Sequence, residues 1–361
     1  MRVLIVDCAY PGFLADLYNR HPEVEALDFE QHRLRYMDEG FGTADAMSHH
    51  LNRLGHQAQE IVVNAFPMQR AWAREHGVQP DPHAPHWQPP ILTEQIRTIH
   101  PDVLYVQELG PVPDEFWAGV KPLVRLLVGQ VACTIPKRRS FAAYDLVVSS
   151  WPPLVDHFRQ HGRSAEHLPL CFDPRVLDRL GHVTPQRDVT FVGGLGAVHP
   201  QRTRLIERLC SNVDLDLWGY LSGSDPLPEV IQARHHGEAW GLQMYRILAG
   251  SRITINHHLV HEVGGRRDHH VANNCRLYEA TGVGTLLITD QKDNLPELFA
   301  PGCEVVTYRD PDDCIEQVRR FLEDEPARQA IAAAGQQRTL REHSFARRMA
   351  ELADRLRSHL P

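Results

Sequence analysis

The chain opens on a short apolar run that ends in an acid, Arg2-Val-Leu-Ile-Val-Asp7. Such runs, bounded by polar residues, mark strands buried on both faces of a parallel sheet. Similar runs recur at 60–64, 102–108, 124–131 and 146–149. Between the first two the spacing turns helical. Ala46-Met-Ser-His-His-Leu-Asn-Arg-Leu54 follows a Gly40–Asp45 turn, and Gly55 stops it. A further helix is predicted over 93–99. Residues 8–39 read as a polar stretch, and the proline-rich 79–90 as a loop.

Around His167–Pro174 this rhythm breaks, with prolines bracketing a short apolar stretch, as at a crossing between domains. It then restarts. Strands are predicted at 188–194, 213–218, 253–256, 285–289 and 304–308, with helices over 202–210 and 274–281. The tail is helical near 311–324, 326–336 and 343–359. Alternating strands and helices predict the α/β class, with two Rossmann-like, doubly wound domains in series. No internal repeat or low-complexity segment interrupts them.

Composition narrows the partners. The 361 residues are 42% hydrophobic and 23% charged, with a formal net charge of -8. A globular protein follows, and nucleic acid is not expected as a partner, since a duplex backbone calls for a broad basic face. Seven scattered cysteines without a CxxC pair read as free thiols in a reducing cytoplasm. The opening strand lacks the features of a signal peptide, and no run approaches the ~18 apolar residues of a membrane span. Any membrane role would be peripheral.

Candidate chemistry collects after strand ends, where ligands of open α/β sheets bind. Gly193 and Gly194 end one strand and allow close backbone approach, with Arg202 on the following helix placed for a phosphate oxygen. The other reading is an ordinary strand–turn–helix connection with a surface arginine. Asn273, Asn274, Arg276 and Glu279 lie at the start of the 274–281 helix. Residues spaced by three share a slanting stripe, and free amides with a guanidinium suit a diphosphate. Glu279, acceptor only, suits the vicinal diol of a ribose. Equally, Arg276 and Glu279 form an i,i+3 ion pair on a solvated face. Gly219 and Tyr220 offer backbone bonds and a stacking face to a base, or are core residues.

In the first half, Asp7, Asp45, His49, His50 and Glu108 fall at strand ends or helix starts. Asp45 and Glu108 are the candidates for the catalytic group, with helix capping the alternative for Asp45. The histidine-dense segment 256–270 includes His257 and His261 at i,i+4. No HExxH pattern accompanies them, so no metal site is expected. The segment reads as a mobile polar lip, with Arg266 or Arg267 available to phosphate.

From Asn273 onward the chain resembles the group-1 glycosyltransferases of the GT-B fold, in the branch related to spore-maturation and capsule-type enzymes. The matching residues are Asn274-Cys-Arg276-Leu-Tyr-Glu279-Ala-Thr-Gly282, Leu286-Leu-Ile-Thr-Asp290, Asn294-Leu-Pro-Glu-Leu-Phe-Ala-Pro-Gly302-Cys-Glu304 and His343-Ser-Phe-Ala-Arg347-Arg348. Asp173 and Phe191-Val-Gly-Gly194 resemble the family's linker and its first C-domain strand.

The resemblance implies two domains facing a cleft. Residues 1–170 would bind the acceptor, 171–342 the nucleotide-sugar donor, and a helix from 343 to 361 would return to the first domain. Glu279 would hold the donor's ribose, and Arg202 would stand near its diphosphate. The implied activity is transfer of a sugar from a nucleoside-diphosphate sugar to a hydroxyl of a glycan, lipid-linked or small-molecule acceptor. No further cofactor or metal is called for. Better-known members carry a second glutamate eight positions before the ribose-binding one. Here that position is Val271, which removes the usual marker of retention or inversion. A nucleotide-sugar epimerase on the same fold, or a catalytically silent binding subunit, are the rival readings.

Overall fold

The computed structural model describes residues 1–79, 81, 86–108, 110, 112–136, 139–223 and 226–361. It divides into two compact units. Unit one comprises Met1–Pro169, Glu262–Arg266 and Phe345–Pro361, and unit two Leu170–His261 and Arg267–Ser344. Both are α/β, as the alternation predicts.

Unit one is built on six parallel strands: β1 (Arg2–Asp7), β2 (Gln57–Val62), β3 (Val103–Val106), β4 (Leu126–Gln130), β5 (Leu146–Ser149) and β6 (Ala165–His167). Their order is β2-β1-β3-β4-β5-β6. Val3, Leu4, Ile5 and Val6 of the interior strand β1 are all buried, which explains their unbroken apolar run. The terminal helix Phe345–His359 belongs to this unit, burying Met349, Leu352 and Leu356 and packing against the helix Ala46–Arg53.

Unit two carries β7 (Arg187–Val192), β8 (Leu195–Gly196), β9 (Leu215–Trp218), β10 (Leu221–Ser222), β11 (Ser251–Asn256), β12 (His261–Val263), β13 (Arg266–Asp268), β14 (Leu286–Asp290) and β15 (Val306–Tyr308), with the turn of the β12–β13 hairpin counted in unit one. The main sheet is parallel, in the order β15-β14-β11-β7-β9. Its core joins Val189, Leu217, Ile253, Ile255 and Ile288 to Leu205 and Leu209 of the helix Pro200–Cys210.

Three differences from the sequence reading have physical causes. The polar stretch 8–39 contains the helices Pro11–Arg20 and Phe29–Asp38. Each buries a sparse face, Phe13 with Leu17 and His32 with Tyr36 and Met37, and a buried histidine does not register as apolar. Within 79–90, residues 80 and 82–85 lie outside the described ones, and Gln88 already starts the helix Gln88–Ile99. The supposed lip contains the hairpin β12–β13, anchored in unit one where the Glu262 N–H donates to Thr134 Oγ1 at 2.8 Å. Among the described residues no helix is long and apolar enough to cross a membrane.

Candidate functional site

The sheet of unit two changes its direction of growth between β7 and β11, because β9 was added on one side of β7 and β11 on the other. Such a switch point leaves a crevice beyond the strands' carboxyl ends. Arg202 bridges the two ends. Its Nη1 donates to the Gly194 carbonyl at 3.1 Å and its Nη2 to the His257 carbonyl at 2.8 Å. Its Nε has no hydrogen-bond partner among the described residues. Burial pushes its pKa down, yet a guanidinium stays protonated in a protein. The outcome is a fixed cation at the crest, not a surface arginine.

Arg276 approaches the same place from the helix Arg276–Gly282. Its Nη2 donates to the Val192 carbonyl at 3.0 Å, and its Nη1 lies 2.9 Å from Glu279 Oε2. The i,i+3 ion pair is therefore made. Its side chains are only 14% and 17% exposed, so it does not lie on a solvated face. The expected free amides are fewer than the sequence implied. Leu277 N–H is turned to Asn274 Oδ1 at 3.4 Å, and those of Tyr278 and Glu279 bond the Cys275 carbonyl. Asn274 instead joins a side-chain relay, donating to Asn256 Oδ1 at 2.8 Å while Asn256 donates to Thr289 Oγ1 at 2.9 Å. Asn273, partly buried, precedes this turn.

The glycines have separate reasons. A Cβ on Gly194 would run into the Tyr220 and His199 rings, and one on Gly219 into the Gly193 carbonyl. Gly219 does not offer its backbone to a base. Its N–H donates to the Gly237 carbonyl at 2.9 Å and its carbonyl accepts from the His235 ring at 2.8 Å. The aromatic face survives: Tyr220 lies parallel to Trp240, 4° between planes and 6.4 Å between centroids. Trp240 was missed, because nothing local in 234–241 marks it. His199, also missed, is hydrogen-bonded to Tyr220 Oη at 3.1 Å. Burial, with help from Arg202, pushes its pKa down to about 4.

A second cluster stands at the ends of β11 and β14. His258 donates its backbone N–H and its ring Nδ1–H to Asp290 Oδ1, at 3.0 and 2.7 Å. Lys292 Nζ lies 3.0 Å from Asp290 Oδ2. Burial opposes ionisation of Asp290, but the His258 bond and the neighbouring His257, His258 and Lys292 outweigh it and hold the carboxyl well below the usual range. His257 turns to Tyr308 Oη at 2.9 Å. Among the described residues no group of three or more histidines, cysteines or acids is arranged to hold a metal.

In unit one the corresponding switch point lies between β1 and β3. Asp7 ends β1, accepting the Cys8 N–H at 2.8 Å. Burial pushes its carboxyl up to about 7, the Cys8 bond opposing and the charge of Glu108 adding. Glu108, exposed, follows β3. The Gly40–Asp45 turn is tied to the same edge, where Gln107 Nε2 donates to Thr43 Oγ1 at 2.9 Å. Asp45 stands at the end of that turn. It starts the helix Ala46–Arg53 without a side-chain capping bond and lines a groove of about 470 Å³ with Arg33, Ser48, His49 and Arg53. Its charge acts on Arg33 and Glu60. His50 is buried against Phe345.

The raised Asp7 carboxyl has a testable sign. The unfolded group titrates near ~4 and the folded one at about 7. Protonation therefore favours the fold. The contribution is complete below pH ~4 and is lost as pH rises through ~7. An Asp7→Asn variant should lose less stability than the parent between pH 5 and pH 8, read from urea midpoints. Identical pH dependence of the two proteins would contradict the assignment.

Residues 201–354 match the glycosyl transferase-like family. No curated protein sequence matches the chain. Among solved structures, AviGT4, a glycosyltransferase involved in avilamycin A biosynthesis, is 16% identical with a TM-score of 0.60, the alignment covering 100% of this chain and 98% of that one. HepE of Anabaena, solved with UDP and glucose, is 14% identical with a TM-score of 0.59, covering 99% and 100%. A UDP-N-acetylglucosamine 2-epimerase-like protein of Listeria monocytogenes is 12% identical with a TM-score of 0.52, covering 99% and 96%. These likenesses establish the shared fold. The family match spans residues 201–354, which include the crevice of unit two, and across its whole length the chain shares the GT-B fold of these solved structures.

Proposed function

We propose that unit two binds a nucleoside-diphosphate sugar and that the protein transfers the sugar to a hydroxyl acceptor. The observation that carries this reading is Arg202 spanning the ends of β7 and β11, with Arg276 beside it. Two guanidinium groups at one switch point suit a diphosphate, whose charge grows as the glycosidic bond breaks. Glu279 takes the ribose hydroxyls. Tyr220 and Trp240 supply the faces for the base. HepE, on the same fold, was solved with UDP-glucose, which supports this class of donor. In unit one we assign the acceptor side to Asp7 and Glu108, at the switch point of its sheet. Seven free cysteines accord with a cytoplasmic setting.

Calorimetric titration with UDP, GDP, ADP and their hexose esters tests the donor assignment. At least one pair should bind, and Glu279→Ala should weaken that binding by ~1–3 kcal/mol, the cost of losing a charged hydrogen-bond partner. Silence across the panel would overturn the donor assignment. Binding with neither transfer nor slow donor hydrolysis would turn the reading toward a silent subunit.

A further inference from the structure

His258 is 2% exposed. Its Nδ1 is anchored on Asp290 at 2.7 Å, while its Nε2 is buried with no hydrogen-bond partner among the described residues. Buried polar nitrogens are normally satisfied, and one left open next to a crevice calls for an explanation. The carboxylate can only accept, so the ring proton is on Nδ1 and, in the neutral ring, the lone pair is on Nε2. Nε2 is then an acceptor. An ionised phosphate, also acceptor only, cannot satisfy it. A sugar hydroxyl can.

The sheet orders the groups in the same sense. From β9 through β7 and β11 to β14, the strand ends carry Tyr220, then Gly193 and Gly194 with Arg202, then Asn256 to His258, and last Asp290. Neighbouring strands are ~4.8 Å apart, so this row spans about 14 Å. A donor laid along it with its base at Tyr220 and its diphosphate at Arg202 brings its sugar to the β11–β14 end.

Resting on the donor assignment above, we propose that His258 contacts the transferred sugar, a hydroxyl donating to Nε2, and that Asp290 is its positioning residue. Lys292, 3.0 Å from Asp290 Oδ2, holds the other oxygen of that carboxylate.

The test is titration of the full-length protein with UDP against UDP-glucose and with GDP against GDP-mannose. His258→Asn leaves an amide able to bond Asp290 but nothing at the Nε2 position. It should weaken the nucleotide sugar about tenfold while changing the free diphosphate less than twofold, so binding of the diphosphate reports an intact site. His258→Gln, whose amide reaches the Nε2 position, should recover part of the loss. Equal changes for sugar nucleotide and diphosphate, or none for either, would overturn the role of His258. A parent protein that binds neither pair would overturn the donor assignment itself.

Discussion

An Arg202→Met variant is expected to lose about 10²–10³-fold in the turnover of its nucleotide sugar, with the protein still folded. The guanidinium is fixed by two carbonyls at the ends of β7 and β11 and is mostly withdrawn from water. A preorganised cation of this kind stabilises charge that develops on the leaving diphosphate. Removing one such donor costs about 3–4 kcal/mol of activation free energy, hence the fold-change. Methionine keeps the length and the packing against Phe191, over whose ring the guanidinium lies at 5.8 Å. Two carbonyls lose a donor, which adds a modest stability loss of about 1 kcal/mol for each. Initial rates of nucleoside-diphosphate release, with circular dichroism as a fold control, decide the matter. A folded variant retaining a third of the parent rate would remove Arg202 from the diphosphate site.

The second large effect is on stability. Gly219 has φ +141°, and a Cβ there would collide with the Gly193 carbonyl oxygen. A side chain at this φ costs roughly 1–3 kcal/mol in backbone strain, and the overlap adds about as much again. Gly219→Ala should therefore destabilise unit two by roughly 2–6 kcal/mol, seen as a lowered urea midpoint. Gly302→Ala is the control. Its φ is +80° but its Cβ position is open, so it should cost only the backbone part. Equal losses in the two variants would mean that the close approach of Gly219 to Gly193 carries no weight.

These expectations rest on features that were legible in the sequence to different degrees. Most strands of the two large sheets were, because a buried parallel strand is an apolar run, whereas the short edge strand β6, Ala165–His167, carries no such run. Gly194 ends one of these strands and Arg202 opens the next helix, where position alone left a surface arginine as the other reading. The Arg276–Glu279 pair shows the limit of spacing. Both readings of i,i+3 were open, and the structure makes the ion pair while turning it away from solvent. Gly219 was placed correctly beside its neighbours, but its backbone proved to be engaged. Only the path of 234–237 reveals that.

What stayed invisible are partners brought together over long separations. Asp290 is 32 residues from His258, and the Tyr220 ring lies parallel to that of Trp240. Asp45 shows the converse. Its position after a glycine-rich turn fitted a catalytic group, and the structure sets it in a groove with Arg33, Ser48, His49 and Arg53, neighbours that local spacing does not show. Asp7 had the weaker local signal and yet ends the strand at the switch point.

The measurement that tests the central claim most directly is a crystal structure of the full-length protein with the nucleoside diphosphate selected by titration. The account predicts diphosphate oxygens within hydrogen-bond distance of the Arg202 guanidinium, the ribose hydroxyls on Glu279 and the base against Tyr220. A nucleotide bound elsewhere, with Arg202 and Glu279 untouched, would contradict it.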